Sequence, residues 1–262
     1  MDKLLYSKKI TDDFTEDFYA PRKEGVTDIN LFRFRSDEFI DLHDGKHILF
    51  SGCSNTFGIG LERHEGWAWK TYEKIKEKEK CSGFFNLGAG GIGIAHMVIN
   101  IFKYCKKYGN PEVIFMNLSN QNRAFHYLES IQGYSLKFHD KEVYDNIKLY
   151  NYQYYFMLEQ YCRSNNIKLY SFTWDTNGSV NYKKNKVIEE TTNFLFKEYG
   201  FETFYFYNFD DMVNDLNNLQ INNNDPYFLV ARDNMHQGTG YQTIWSNFIY
   251  KKYAKDNYDK KD

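Results

Sequence analysis

This chain of 262 residues has little of what most often betrays a protein's class. Only 3 residues are proline, and no Pro-, Gly- or Ser-rich stretch marks a linker between domains. Its 4 cysteines, Cys53, Cys81, Cys105 and Cys162, show no C-x-x-C spacing. That argues against a zinc site or a disulfide framework and for reduced thiols, mostly buried. No apolar run reaches the roughly 18 residues that a membrane-spanning helix needs. The N-terminus, Met1 to Lys9, lacks the apolar core of a signal peptide, so the expected location is a cytoplasm. Release by lysis or carriage on a particle is compatible with that expectation. The formal net charge is only −2, which speaks against general nucleic-acid binding. There is no internal repeat.

What is present is apolar and aromatic: 42% hydrophobic residues, enough for a sizeable core, and 19% Phe, Trp and Tyr. The pattern along the chain divides it in two. Residues 1–45 are charged and aromatic without clear periodicity and are expected to form an N-terminal extension packed on the domain, with Ile29–Phe34 as a short strand. From residue 46 to 262 a repeating pattern sets in. Compact apolar runs at His47–Phe50, Phe84–Leu87, Glu112–Leu118 and Lys168–Trp174 suit strands buried on both faces. Between and after them, 65–79, 92–107, 151–165 and 239–255 have helical character. The polar, aromatic stretch 120–146 is too long for a plain connection and reads as an insertion. Phe228-Leu229-Val230 reads as a further strand. Alternation of strand and helix predicts an α/β domain with a mostly parallel sheet. In such sheets ligands bind at the carboxyl ends of the strands.

Polar motifs follow those strands. Gly52-Cys53-Ser54-Asn55 comes after the first, Gly88 to Gly93 after the second and Asn120 after the third. Asp233-Asn234-Met235-His236 precedes the last helix. A hydroxyl, an imidazole and a carboxylate are the parts that turn a weak nucleophile into a strong one. Read alone, Ser54 could be only a helix cap, and Asp233 and His236 could be surface neighbours. The glycine stretch could hold an oxyanion or a phosphate. It lacks the Lys-Ser/Thr ending of a P-loop and the Gly-x-Gly-x-x-Gly spacing, which counts against a nucleotide-binding domain.

Taken together and in this order, the four blocks resemble the SGNH (GDSL-type) hydrolase family over about residues 46–255. Gly52-Cys53-Ser54 matches the serine block, Asn86-x-Gly88-x-x-Gly91 the glycine block, and Asp233-x-x-His236 the last. Leu118-Ser119-Asn120-Gln121 stands where Gly-x-Asn-Asp is expected. Cys53, Leu118 and Gln121 depart from the pattern, and Asn117 and Asn122 are alternatives to Asn120. Cys53 matches the residue before the family serine and reads as a buried neighbour of the nucleophile.

The resemblance implies a three-layer α/β/α sandwich with a flavodoxin-like sheet. It also implies a Ser54–His236–Asp233 triad, an oxyanion hole from Ser54, Gly91 and Asn120, and no metal or organic cofactor. The expected reaction is hydrolysis of a small acyl ester, with acetyl favoured. The aromatic and polar segment after Asn120, in which Arg123 and Tyr127 are candidate substrate contacts, suggests a glycan ester as partner. Acyl transfer to a sugar hydroxyl and a catalytically silent glycan-binding module on the same fold are the competing readings. Oligomeric state is not legible.

Overall fold

The computed structural model describes residues 28–119, 141–173, 204–207, 209–220 and 224–259. Among these, five strands form one sheet: β1 (Ile48–Gly52), β2 (Phe85–Asn86), β3 (Val113–Asn117), β4 (Lys168–Thr173) and β5 (Phe204–Phe206). Their order is β2-β1-β3-β4-β5 and every neighbouring pair is parallel. Parallel neighbours cannot be joined by tight turns, so each crossover must travel over a sheet face. Four helices lie on such crossovers, α1 (Ser54–Phe57), α2 (Trp67–Lys76), α3 (Ile94–Tyr108) and α4 (Lys141–Ser164), and two more, α5 (Phe209–Gln220) and α6 (Thr239–Asn257), follow the last strand.

Every residue of β1 and β3 is buried, which is why these strands read as unbroken apolar runs rather than alternating ones. Successive side chains point to opposite faces. Leu49, Ile114, Met116 and Leu169 pack with Met97, Val98 and Ile101 of α3 and Leu158 of α4. Ile48, Phe50, Phe115 and Phe172 pack with Trp67 of α2, Met212 of α5 and Trp245 and Ile249 of α6. The result is the expected three-layer α/β/α sandwich. Much of the aromatic content is core: Phe50, Phe115 and Tyr170 stack across three strands at centroid spacings of 5.3 and 5.4 Å. Strand order reverses between β1 and β3, which opens a crevice at their carboxyl ends.

Several elements differ from the sequence reading. Ile29–Phe34 is a set of turns rather than a strand. The Asn30 side chain accepts the N–H groups of Phe32 and Phe34 at 3.0 Å each, giving the backbone a local alternative to a ladder. Phe34 of this segment, and Phe39 after it, nevertheless enter the core on the α3 face. The helix expected from residue 151 starts at Lys141, so the insertion expected to run to 146 overlaps it. Phe228–Val230 adds no strand to the sheet. Instead Val230 makes one antiparallel bridge to Gln237, closing a tight loop. The fifth strand is Phe204–Phe206, and both it and α5 lie where no element was expected.

Candidate active site

β1 runs straight into the serine block. Gly52 is its last residue, Cys53 caps α1, and Ser54 opens that helix at 7% exposure. Cys53 is buried in the core on the α3 face, in the place expected for a packed neighbour of the nucleophile. Its sulfur receives the Ser54 hydroxyl in a weak hydrogen bond of 4.0 Å. After one turn the helix ends. The Ser54 carbonyl takes N–H bonds from Gly58 at 2.9 Å and Ile59 at 3.1 Å, and the turn Gly58–Leu61 follows.

The glycine block lies against the same helix. Ala89 N–H reaches the Gly52 carbonyl at 3.1 Å. Asn86, fully buried, is the bridge: its Nδ2 donates to the Thr56 carbonyl at 3.0 Å and its Oδ1 accepts Gly88 N–H at 2.8 Å. Gly88 must be glycine, since a Cβ there would stand 2.6 Å from the Phe57 nitrogen. Gly91 lies on the exposed part of this loop, with open space where a side chain would be.

Asp233 and His236 sit on one loop closed by the bonds Ala231 N to His236 O (2.9 Å) and Gly238 N to Leu229 O (3.0 Å). His236 Nδ1 and Asp233 Oδ2 are 2.5 Å apart, and both side chains are 20% exposed. Oδ1 of the same carboxylate accepts the N–H groups of Met235 and His236 at 3.1 Å each. Burial alone would raise the Asp233 carboxyl. The hydrogen bonds from the His236 ring and from the two backbone N–H groups outweigh it and hold the carboxyl below its ordinary value. A bond at Nδ1 leaves Nε2 to carry the lone pair. Neighbouring Arg232 grips Glu65 in a bidentate pair at 2.5 and 2.9 Å, and that bond keeps the Glu65 carboxyl low as well.

The two halves meet at the turn after α1. Arg232 N–H bonds the Gly60 carbonyl at 3.0 Å, and the Asp233 carboxylate lies so close over Gly60 that a Cβ there would be 2.8 Å from Oδ1. Among the described residues no hydrogen bond joins Ser54 to His236. Asn120, Arg123, Tyr127 and Asn122 lie outside the described residues. Asn117 ends β3 beside Gly52, fully buried, with neither amide atom hydrogen-bonded. No group of three potential metal-ligating side chains gathers among the described residues. Sequence reasoning did not single out Gly60, Asn86 as a bridge, or the Glu65–Arg232 pair. The Gly-x-Gly at 58–60, so soon after the serine, was the available signal for the first.

No protein-family model and no curated protein matches this chain. Solved structures do. One titled TesA superposes with a TM-score of 0.51 at 11% identity, covering 78% of this chain and 96% of that one, and this likeness establishes a shared fold. The psychrotrophic esterase EstA from Pseudoalteromonas sp. aligns at 0.45 and 15% identity, over 79% of this chain and 96% of its own. A family two carbohydrate esterase from Clostridium thermocellum aligns at 0.47 and 14%, over 80% of this chain but only 64% of its own length. At those two scores the likeness carries no argument. The architecture is thus the one that the resemblance to SGNH hydrolases implies.

Proposed function

We propose that this protein is a serine esterase of SGNH type that hydrolyses a small acyl ester, acetyl above all, on a carbohydrate. The observation that carries the reading is the Asp233–His236 pair, hydrogen-bonded on a loop that docks onto the turn following Ser54, at the carboxyl edge of a parallel sheet. In this reading Asp233 holds the imidazole so that Nε2 takes the Ser54 proton. Ser54 Oγ attacks the carbonyl carbon. The N–H groups of Ser54 and Gly91 and the Asn120 amide stabilise the negative oxygen. His236 returns the proton to the departing alcohol, and water, activated by the same imidazole, releases the acid. A direct Ser54–His236 bond is not required beforehand, since such contacts commonly tighten only with substrate in place. Arg123 and Tyr127 are the candidate contacts to the sugar, from a segment rich in aromatic and polar side chains. No helix among the described residues is long and apolar enough to cross a membrane.

The test is hydrolysis of p-nitrophenyl acetate and octanoate by the wild type and by Ser54→Ala. The reading expects activity that disappears with Ser54 and favours acetate. Undiminished hydrolysis by Ser54→Ala refutes the nucleophile, and preference for octanoate refutes the small acyl group.

A further inference from the structure

We propose that Arg35, which precedes the first strand, is a positioning residue for the reaction. Its guanidinium clamps the turn to which both halves of the site are fastened. The inference rests on the reading of Ser54, Asp233 and His236 as the reacting groups.

Arg35 is buried, and its Nη1 donates to the carbonyls of Gly58 and Leu61, both at 2.7 Å. Nε donates to Asp28 Oδ1 at 3.1 Å, and the guanidinium carbon stands 5.2 Å from the centre of the Phe57 ring. The clamped turn is the one that binds the Ser54 carbonyl through Gly58 and Ile59. It also binds the loop of Asp233 and His236 through Gly60 and Arg232. With no direct Ser54–His236 hydrogen bond, the separation of these groups is set by this frame. A misplacement of about 1 Å can cost on the order of a hundredfold in rate. Only a guanidinium offers several donors in one rigid fork, and a lysine ammonium cannot reproduce that geometry.

The test compares wild type, Arg35→Lys and Arg35→Ala on p-nitrophenyl acetate. The expected kcat falls by about tenfold in Arg35→Lys and about a hundredfold in Arg35→Ala, while KM stays within about twofold because neither variant removes a substrate contact. Guanidinium ion at non-denaturing, millimolar concentration should restore part of the lost kcat in Arg35→Ala and do nothing for Ser54→Ala. Values of kcat within about twofold of wild type in both variants overturn the proposal. So does a loss of activity in Arg35→Lys that only tracks loss of folded protein. If Arg35→Ala does not fold, the kcat and KM of Arg35→Lys decide. A wild type inert towards esters is a different failure, seen before any Arg35 variant is made, and it removes the esterase reading itself.

Discussion

Asp233 makes three bonds with one carboxylate: Oδ1 accepts two backbone N–H groups and Oδ2 holds the imidazole. Asp233→Asn keeps the shape but cannot hold His236 with Nδ1 as donor in the same way. Its kcat on p-nitrophenyl acetate should drop by about 10²–10⁴-fold with the fold intact by circular dichroism. Gly60 offers a sharper test, because strain and contact can be separated. Gly60 has φ 76° and Asp233 lies against it, whereas Gly109 has φ 83° and open space around it. Gly60→Ala and Gly109→Ala should each cost about 1–3 kcal/mol in urea unfolding, the penalty of a side chain at positive φ. Only Gly60→Ala should also lower kcat, by tenfold or more on the order-of-magnitude cost of a displaced catalytic group. Equal kcat in the two variants would show that the carboxylate yields without consequence.

At the amino end of β1, His47 stacks on His43 at 3.4 Å between ring centroids and bonds the Tyr104 hydroxyl at 2.8 Å. Phe85 packs on its ring, and its backbone N–H bonds the Glu112 carboxylate at 3.3 Å. Burial, then the charge of His43, pushes its pKa from 6.5 down to about 3. The unfolded chain therefore takes up a proton near pH 6.5 that the folded one refuses until about pH 3. Stability is full above pH 6.5 and falls as the solution is acidified, by up to about 1.4 kcal/mol per pH unit. Urea midpoints at pH 7.5, 5.5 and 4.5 should fall less steeply in His47→Phe than in wild type. Parallel slopes would assign the acid sensitivity to other groups. The elements themselves were unequally legible. The four apolar strands and the helices on both faces showed as runs and periods because burial on both sides leaves no other pattern. The fifth strand escaped because Phe204-Tyr205-Phe206 is short and aromatic in a chain where aromatics occur throughout. Helix α5 escaped because its many Asn and Asp residues are weak helix formers, and what marks it is Met212 and Leu216 meeting the core. Phe228–Val230 looked like a strand, yet it turns back on itself to present Asp233.

Two apolar clusters, one on each side of the sheet, make the molecule a pair of cores that share a wall. Leu158 belongs to one and Ile249 to the other, both fully buried. Each change to alanine should cost about 2–5 kcal/mol. In the double variant the costs should add within about 0.5 kcal/mol, because no side chain is shared. Urea denaturation of the four proteins measures this, and a larger mismatch would mean that the sheet transmits repacking from one face to the other. Part of the candidate site was legible at this scale as well: the serine and glycine blocks each follow a strand, and the Asp233–His236 block precedes the last helix. Arg35 and Gly60 were not, since their roles exist only where distant segments meet.

That meeting also sets a timetable. Ser54 follows the first strand and His236 precedes the last helix, so on the proposed reading nearly the whole domain lies in the loop that must close before the two can act together. Contacts so far apart in sequence lose loop-closure entropy before any interaction offsets it, which slows their formation. The sheet can zip and the α3 face can condense while the hydroxyl still has no imidazole beside it. On the proposed reading, chemical competence waits for that closure.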